Sequence, residues 1–509
     1  MTLQVQTDRL SRSNAISIFA VQAAEPSRLF PIFAMQTSTA PAYKLPDGPV
    51  VPGFTTLITA LLPVRVEFDN LTYMTSMAQK FGPFYGIYIG DKSPKNVTYI
   101  ISDPELTHEI LVQRHAEFHK AELLRNAIGG LIGNGLLLSE GDFWKRQRKL
   151  AQPAFHHQRI AAYGSTMVQQ TLAMLEGWQV GQTRDIALDM MALALDIVNR
   201  TLFGVTLNEQ AEEIGRLMHI ILERANDRIN QYEPVWEKLF KTRHKQEAEA
   251  GQALFKIVDD IIAEHRRRNV DTGGADTGGA DTGGADTGDL LSMLMAARDE
   301  DDQPMSEAQL RAEVMTLFIA GHETTANALS WGFYLVSQTP QVEAKLMQEI
   351  AQLNGQPPTL KDLQNMPYSE QVVKEVMRLY PPAGGATRQP IQDTHIGNYF
   401  LPKGSNIAIS TYTMHRNPAL FPDPLQFKPE RFSPEQEASI PKYAYLPFGG
   451  GPRVCIGNSF AIMEARLVLI TVLQRFKLAL APGQKVRAEQ LFTIRPKGGL
   501  KMVLEARQS

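Results

Sequence analysis

Cys455 is the only cysteine among 509 residues, and it lies in the run Phe448-Gly449-Gly450-Gly451-Pro452-Arg453-Val454-Cys455-Ile456-Gly457. A buried thiolate on a metal needs backbone N–H donors nearby and shelter from bulk water, and glycines let the chain come close enough to supply both. A lone thiol is ordinarily a small, inert hydrophobe. Four glycines, a proline and an arginine make a costly setting for that role, so Cys455 is read as a metal ligand.

A second constellation, Ala320-Gly321-His322-Glu323-Thr324-Thr325, interrupts the apolar stretch from Val314 to Val336. Ser306 with Gln309 makes a capping box and Pro340 closes the stretch, which predicts one helix of roughly 33 residues, about 50 Å long. Gly, His, Glu and two Thr in its middle cost helix propensity and threaten to bury polar groups. An acid and an alcohol within hydrogen-bond reach of a reacting atom, directly or through one water, are what proton delivery requires. The competing assignment is structural, with Thr324 bonded to a carbonyl of the preceding turn and Glu323 a satisfied buried acid.

Glu375 and Arg378 sit three apart on one helical face, and Pro381-Pro382 must end that helix. An exposed pair of this spacing contributes little. Trp144 and Arg148 lie four apart on a predicted helix, where Lys145, Arg146 and Lys149 make the segment strongly basic. Such a cluster is usually a solvated face.

The spacing Phe448, Gly451, Arg453, Cys455, Gly457 resembles the haem-binding signature of the cytochrome P-450 family, the haem-thiolate monooxygenases, with each fixed position filled. The resemblance implies haem b with Cys455 as its axial ligand, a thiolate that favours breaking the O–O bond. It implies that Trp144, Arg148, Arg388 and Arg453 meet the propionates, and that Phe448, Gly457, Ala320 and Gly321 adjoin the cofactor. Gly321 would let the long helix widen beside bound O2, while Glu323 and Thr324 would relay protons. His322 occupies a variable position and is read as a helix-face residue. Glu375, Arg378 and Arg431, the last from Phe427-Lys428-Pro429-Glu430-Arg431-Phe432, would form a buried network fixing the segment that carries the cysteine loop.

By the same resemblance the substrate pocket comprises Phe318 and Ala320, the small run Ala383, Gly384, Gly385 and Ala386, and Thr493 and Ile494. An apolar small molecule follows, with the motif wording closest to fatty-acid and alkane hydroxylases and with terpenes also in view. The chain ends 54 residues after Cys455 without a flavin or iron-sulfur segment, so electrons from NAD(P)H are expected through a separate ferredoxin or flavodoxin-type donor and its reductase. Lys145, Arg146 and Lys149 would steer that donor to the proximal face. Rival readings are a haem-thiolate isomerase or dehydratase, a peroxygenase, and a non-enzymatic haem sensor. The acid-alcohol pair argues against the peroxygenase, and no sensory or output segment is recognisable.

These residues need a mainly α fold with small β-sheets. Amphipathic patterns predict helices over Ile214 to Arg228, Gln341 to Leu353 and Asn458 to Phe476, the last directing its positive end at the thiolate. Short strands are predicted over Tyr85 to Ile89, Val97 to Ile101 and Asn406 to Ser410. Residues 43–509 read as one catalytic domain, and 1–42 as a disordered extension in which Met35 is a possible true start. Arg9 and Arg12 before a very short apolar run make a feeble signal peptide, so a cytoplasmic location is expected. Ala15 to Ala24 and Thr55 to Val64 fall short of the roughly 20 residues that span a bilayer, so no transmembrane anchor is expected. The repeat Asp271-Thr272-Gly273-Gly274-Ala275, continued to 288, cannot bury a core and reads as a flexible surface insertion between helices. A net charge of −3 gives no sign of nucleic-acid binding, and a sole cysteine excludes intramolecular disulfides.

Overall fold

A computed structural model describes residues 44–51, 69–94, 97–206, 211–229, 242–271, 289–298 and 302–507. Residues 1–42, the stretch Thr55 to Val64 and the repeat beyond Asp271 lie outside them. Helices dominate, among them Gly141–Ala151, His157–Glu176, Ile186–Leu202, Ala211–Ile229, Thr242–Asp271, Glu307–Ser337, Pro367–Leu379 and Asn458–Arg475. The periodicities at 214–228 and 458–476 thus lie in real helices, and the 341–353 pattern in Pro340–Ala351.

The helix Glu307–Ser337 is the axis of the molecule. Ser306 caps it, its hydroxyl accepting the Gln309 N–H at 3.2 Å. The capping box is only half made, because the Gln309 side chain turns forward and donates to Glu313 Oε1 at 2.6 Å. Pro340 opens the next helix at its first position, where no N–H is required. From Ala312 onward the long helix is buried almost all round, packed against Ile186–Leu202 and against Asn458–Arg475. It is therefore a core helix, not an amphipathic surface one.

A six-stranded sheet takes the order Val50–Val51, Phe84–Ile89, Val97–Ile101, Asn406–Ile409, Ala386–Pro390, Phe118–His119. Val97–Ile101 and Asn406–Ile409 run parallel, with Tyr99 opposite Ile407, while Ala386–Pro390 returns antiparallel with Thr387 opposite Ala408. This carries Ala386 and Arg388 in from the end of the Pro367–Leu379 helix. A short hairpin, Ala488–Gln490 with Ile494–Pro496, lies against the long helix.

The segment between that helix and the cysteine is fixed by buried charge. Glu375 receives both Arg378 Nε at 2.6 Å and Arg378 Nη2 at 2.8 Å. Its Oε1 also accepts the Lys428 N–H at 3.0 Å and Arg431 Nε at 3.4 Å. Arg378 goes on to the carbonyls of His415, Pro424 and Gln426, and Arg431 to that of Asp423. Glu375 and Arg378 are fully buried, so the exposed-pair estimate does not apply. Removing one partner strands the other charge, and Glu375→Ala is expected to cost about 3–5 kcal/mol in urea unfolding. A loss below about 1 kcal/mol would mean that the network is solvated.

Candidate active site

The cysteine loop is a tight backbone turn. Val454 N–H donates to Gly451 O and Cys455 N–H to Phe448 O, each at 3.0 Å. Gly451 has φ +68°, and a Cβ there would lie 2.0 Å from the Leu111 carbonyl oxygen, so only glycine lets the loop seat. Cys455 carries accessible surface, yet it sits deep enough that burial raises its thiol pKa. Both hold if the sulfur opens on an internal recess and not on bulk water. The Gly457 N–H and the Arg148 charge act in the opposite direction, favouring the thiolate. Gly457 is also the N-cap of the Asn458–Arg475 helix.

Cations gather beside the loop. The Arg453 guanidinium lies 3.7 Å over the Trp144 ring, donates to Ser139 O at 2.8 Å and pairs with Glu140. Arg148 donates to Val454 O at 2.8 Å, and Arg388 to Thr387 O at 2.8 Å. Lys120 joins them, its ammonium on the carbonyls of Leu136 and Leu137 and its backbone N–H on Glu140. Burial and the neighbouring arginines push Lys120 down to about 7 and Arg453 down to about 10, with Glu140 opposing in both. Among the described residues, Arg125 also acts on Lys120, and Glu140 and the buried Glu313 are the acids near this group, so cations outnumber carboxylates. No spacing rule pointed to Lys120, which stands in the unremarkable run Phe118-His119-Lys120-Ala121.

Ala320 is accessible although its neighbours Leu317, Phe318, Ile319, His322 and Glu323 are buried. That exposure in the middle of a buried helix fits an opening on internal space. Thr324, one turn on and half-buried, donates back to Ala320 O at 2.8 Å, the helical back-bond anticipated as the structural alternative. Gly321 lies within an unbroken helix, and a Cβ there would come 3.0 Å from Val198, so its smallness serves the packing against Ile186–Leu202. No widening of the helix is present at this position.

Three residues expected in the pocket are buried in packing or hydrogen bonds. Phe318 precedes Ala320 by two residues, roughly 200° round the helix, and cannot share its face. It is fully buried and stacks on Phe203, with centroids 6.5 Å apart. Thr493 is buried with its hydroxyl donating to Glu323 Oε1 at 2.7 Å. Ile494 is buried against Gly384, its N–H on Pro382 O at 2.9 Å and its carbonyl accepting Trp331 Nε1–H at 3.1 Å. The hairpin carrying both is fastened to the long helix. Of the small run, Ala383 and Gly385 are accessible, Ala386 partly so, and Gly384 is covered. His322, read as a helix-face residue, is buried, bonded to Phe318 O at 2.7 Å, and pushed down to about 4 by burial, hence neutral.

The comparisons agree with this architecture. The Cytochrome P450 family model matches residues 49–502. Cyclooctatin synthase of Streptomyces melanosporofaciens is 33% identical over 93% of this chain and 99% of its own. Cyclooctat-9-en-7-ol 5-monooxygenase of the same organism is 34% identical over 79% of this chain and 84% of its own. Pentalenene oxygenase of Streptomyces avermitilis is 29% identical over 86% and 93%. The chain belongs to the cytochrome P450 family. It is a haem-dependent oxidoreductase that uses O2, and among the described residues no helix is long and apolar enough to cross a membrane.

The residues present fit that cofactor. A sulfur open to an interior recess suits an axial ligand, and a cation cluster short of negative charge suits two propionates. Gly451→Ala is expected to yield protein that retains little haem, measured as the ratio of Soret to protein absorbance. Full haem retention would contradict the seating of the loop on Leu111.

Proposed function

We propose that this chain hydroxylates or epoxidises an apolar cyclic terpenoid, taking electrons from a separate ferredoxin or flavodoxin-type protein and its NAD(P)H-dependent reductase. The observation that carries the chemistry is the deep but accessible Cys455 beside a buried cation cluster. The names of the relatives, which point to oxygenation of pentalenene and of cyclooctat-9-en-7-ol, favour terpenoids over fatty acids or alkanes.

In this reading Cys455 would ligate the haem iron, and the haem, when bound, would supply the activation of O2. Arg453, Arg148, Arg388 and Lys120 would hold its propionates, with Trp144 stacked beneath Arg453, while Phe448 and Gly457 would border the thiolate. Accessible Ala320, Ala383, Gly385 and Ala386 leave room for the substrate. Burial raises the Glu323 pKa against the opposing Thr493 hydroxyl and Arg495 charge, which favours the acid form. Thr324, while donating to Ala320 O, keeps lone pairs that can accept from a water between Glu323 and the recess. Lys145, Lys149 and Arg159 line a groove of about 770 Å³ beside Arg148 and Pro452, a basic seat for an acidic electron donor. Residues 43–509 act as one domain, in the cytoplasm where NAD(P)H is at hand.

Turnover of cyclic terpenes with a ferredoxin, its reductase and isotopically labelled O2 tests this. One labelled oxygen atom per product molecule is expected, with strict dependence on NAD(P)H. Product formed without reductant would favour the isomerase or dehydratase reading, and product carrying oxygen from water would contradict monooxygenation. Thr324→Ala is expected to keep its haem and to divert electrons to hydrogen peroxide, lowering coupling by roughly tenfold or more. Unchanged coupling would remove Thr324 from the proton path.

A further inference from the structure

Glu323 is held by a chain of donors that the acid-alcohol pair does not include. Asn327 Nδ2 donates to Thr493 Oγ1 at 3.0 Å, and the Thr493 hydroxyl donates on to Glu323 Oε1 at 2.7 Å. Glu323, Asn327 and Thr493 are each at most 3% exposed, so water does not compete for these bonds. Glu323, Asn327 and Trp331 follow at four-residue steps on one face of the long helix, and all are tied to the hairpin, Trp331 through Ile494 O. The hairpin therefore cannot slide without breaking these bonds.

The direction of the chain matters. The Asn327 amide N–H donates to Thr493 Oγ1, and the one proton of the Thr493 hydroxyl goes to Glu323 Oε1. Oε1 is thus the accepting oxygen of the carboxyl, and the proton of the neutral acid belongs on Oε2. Resting on the reading above, we propose that Thr493 is a positioning residue for the proton donor: with Asn327 behind it, it fixes the Glu323 carboxyl so that Oε2 carries the transferable proton.

When Oε2 releases its proton, the Thr493 hydroxyl bonds a full anion, and such charge-assisted bonds are roughly twice as strong as neutral ones. Thr493 and the Arg495 charge both favour that anion. The step is a proton leaving Oε2 and later returning to it, with no electrons exchanged at this residue. The hydroxyl so placed strengthens as the acid ionises, which is where a relay gains from it.

Thr493→Val removes the hydroxyl at nearly constant shape, and Thr493→Ser restores it. Infrared difference spectra of the substrate-free holoprotein in H2O and D2O read the neutral carboxyl directly, its band assigned by loss in Glu323→Gln. Thr493→Val is expected to shift that band upward, as a carbonyl that loses a donor does, and Thr493→Ser to return it. In turnover with pentalenene as probe, Thr493→Val is expected to lower coupling about tenfold and raise the solvent isotope effect, with the spin-state dissociation constant unchanged. Asn327→Ala, which removes the donor behind Thr493, repeats the test in a second background and is expected to give a smaller shift of the same sign.

A band that does not move, or the absence of any neutral Glu323 band, overturns the proposal. So does a Thr493→Val variant with weakened pentalenene binding and normal coupling, since Thr493 would then line the pocket. Failure of the monooxygenase reading itself is distinguishable: the parent would then lack O2-derived product, while the infrared result on Glu323 would still stand or fall alone.

Discussion

A sulfur that is to hold a metal must be kept from bulk water on every side but one. Nearly everything else in the structure answers that demand. The Gly451 seat on Leu111, the Cys455 N–H on Phe448 O and the Arg148 guanidinium on Val454 O hold the loop from three directions. Behind it, the Glu375 network anchors the preceding segment by desolvated charge, which is directional and intolerant of slippage. The cost of enclosure appears at the thiol, which burial raises and which Gly457 and Arg148 partly restore.

A second consequence of enclosure is the handling of protons. The long helix carries two kinds of polar residue past its core midpoint. One face, with Ala320 and Thr324, is the less covered, while the adjoining face, with Glu323, Asn327 and Trp331, is sealed by the hairpin. Burial there raises the acid's pKa and the hairpin orients it, while the alcohol stays on the less covered face. Division of labour between neighbouring residues follows from the 100° that separates them on a helix.

How much of this was legible depends on the distance along the chain. The cysteine loop, the capped long helix and the pair Glu375 with Arg378 are local patterns, and their spacing alone led to the right elements. Lys120 and Arg453 meet across more than three hundred residues, and Glu323 and Thr493 across 170, so no spacing could announce either. Phe318 was assigned to the pocket by resemblance, and it lies roughly 200° round the helix from accessible Ala320, buried against Phe203. Thr493 and Ile494 were assigned by resemblance to the pocket, whereas here their polar atoms are spent on fastening the hairpin. Gly321 was assigned a helix distortion, and in this chain its missing Cβ admits Val198 instead.

The central claim is that Cys455 binds haem iron as a thiolate. Its most direct test is the carbon monoxide difference spectrum of the dithionite-reduced purified protein, recorded beside Cys455→Ser. The account predicts a strongly red-shifted Soret band in the parent and its loss in the variant. A histidine-type band in the parent, or a spectrum unchanged by the substitution, would contradict it.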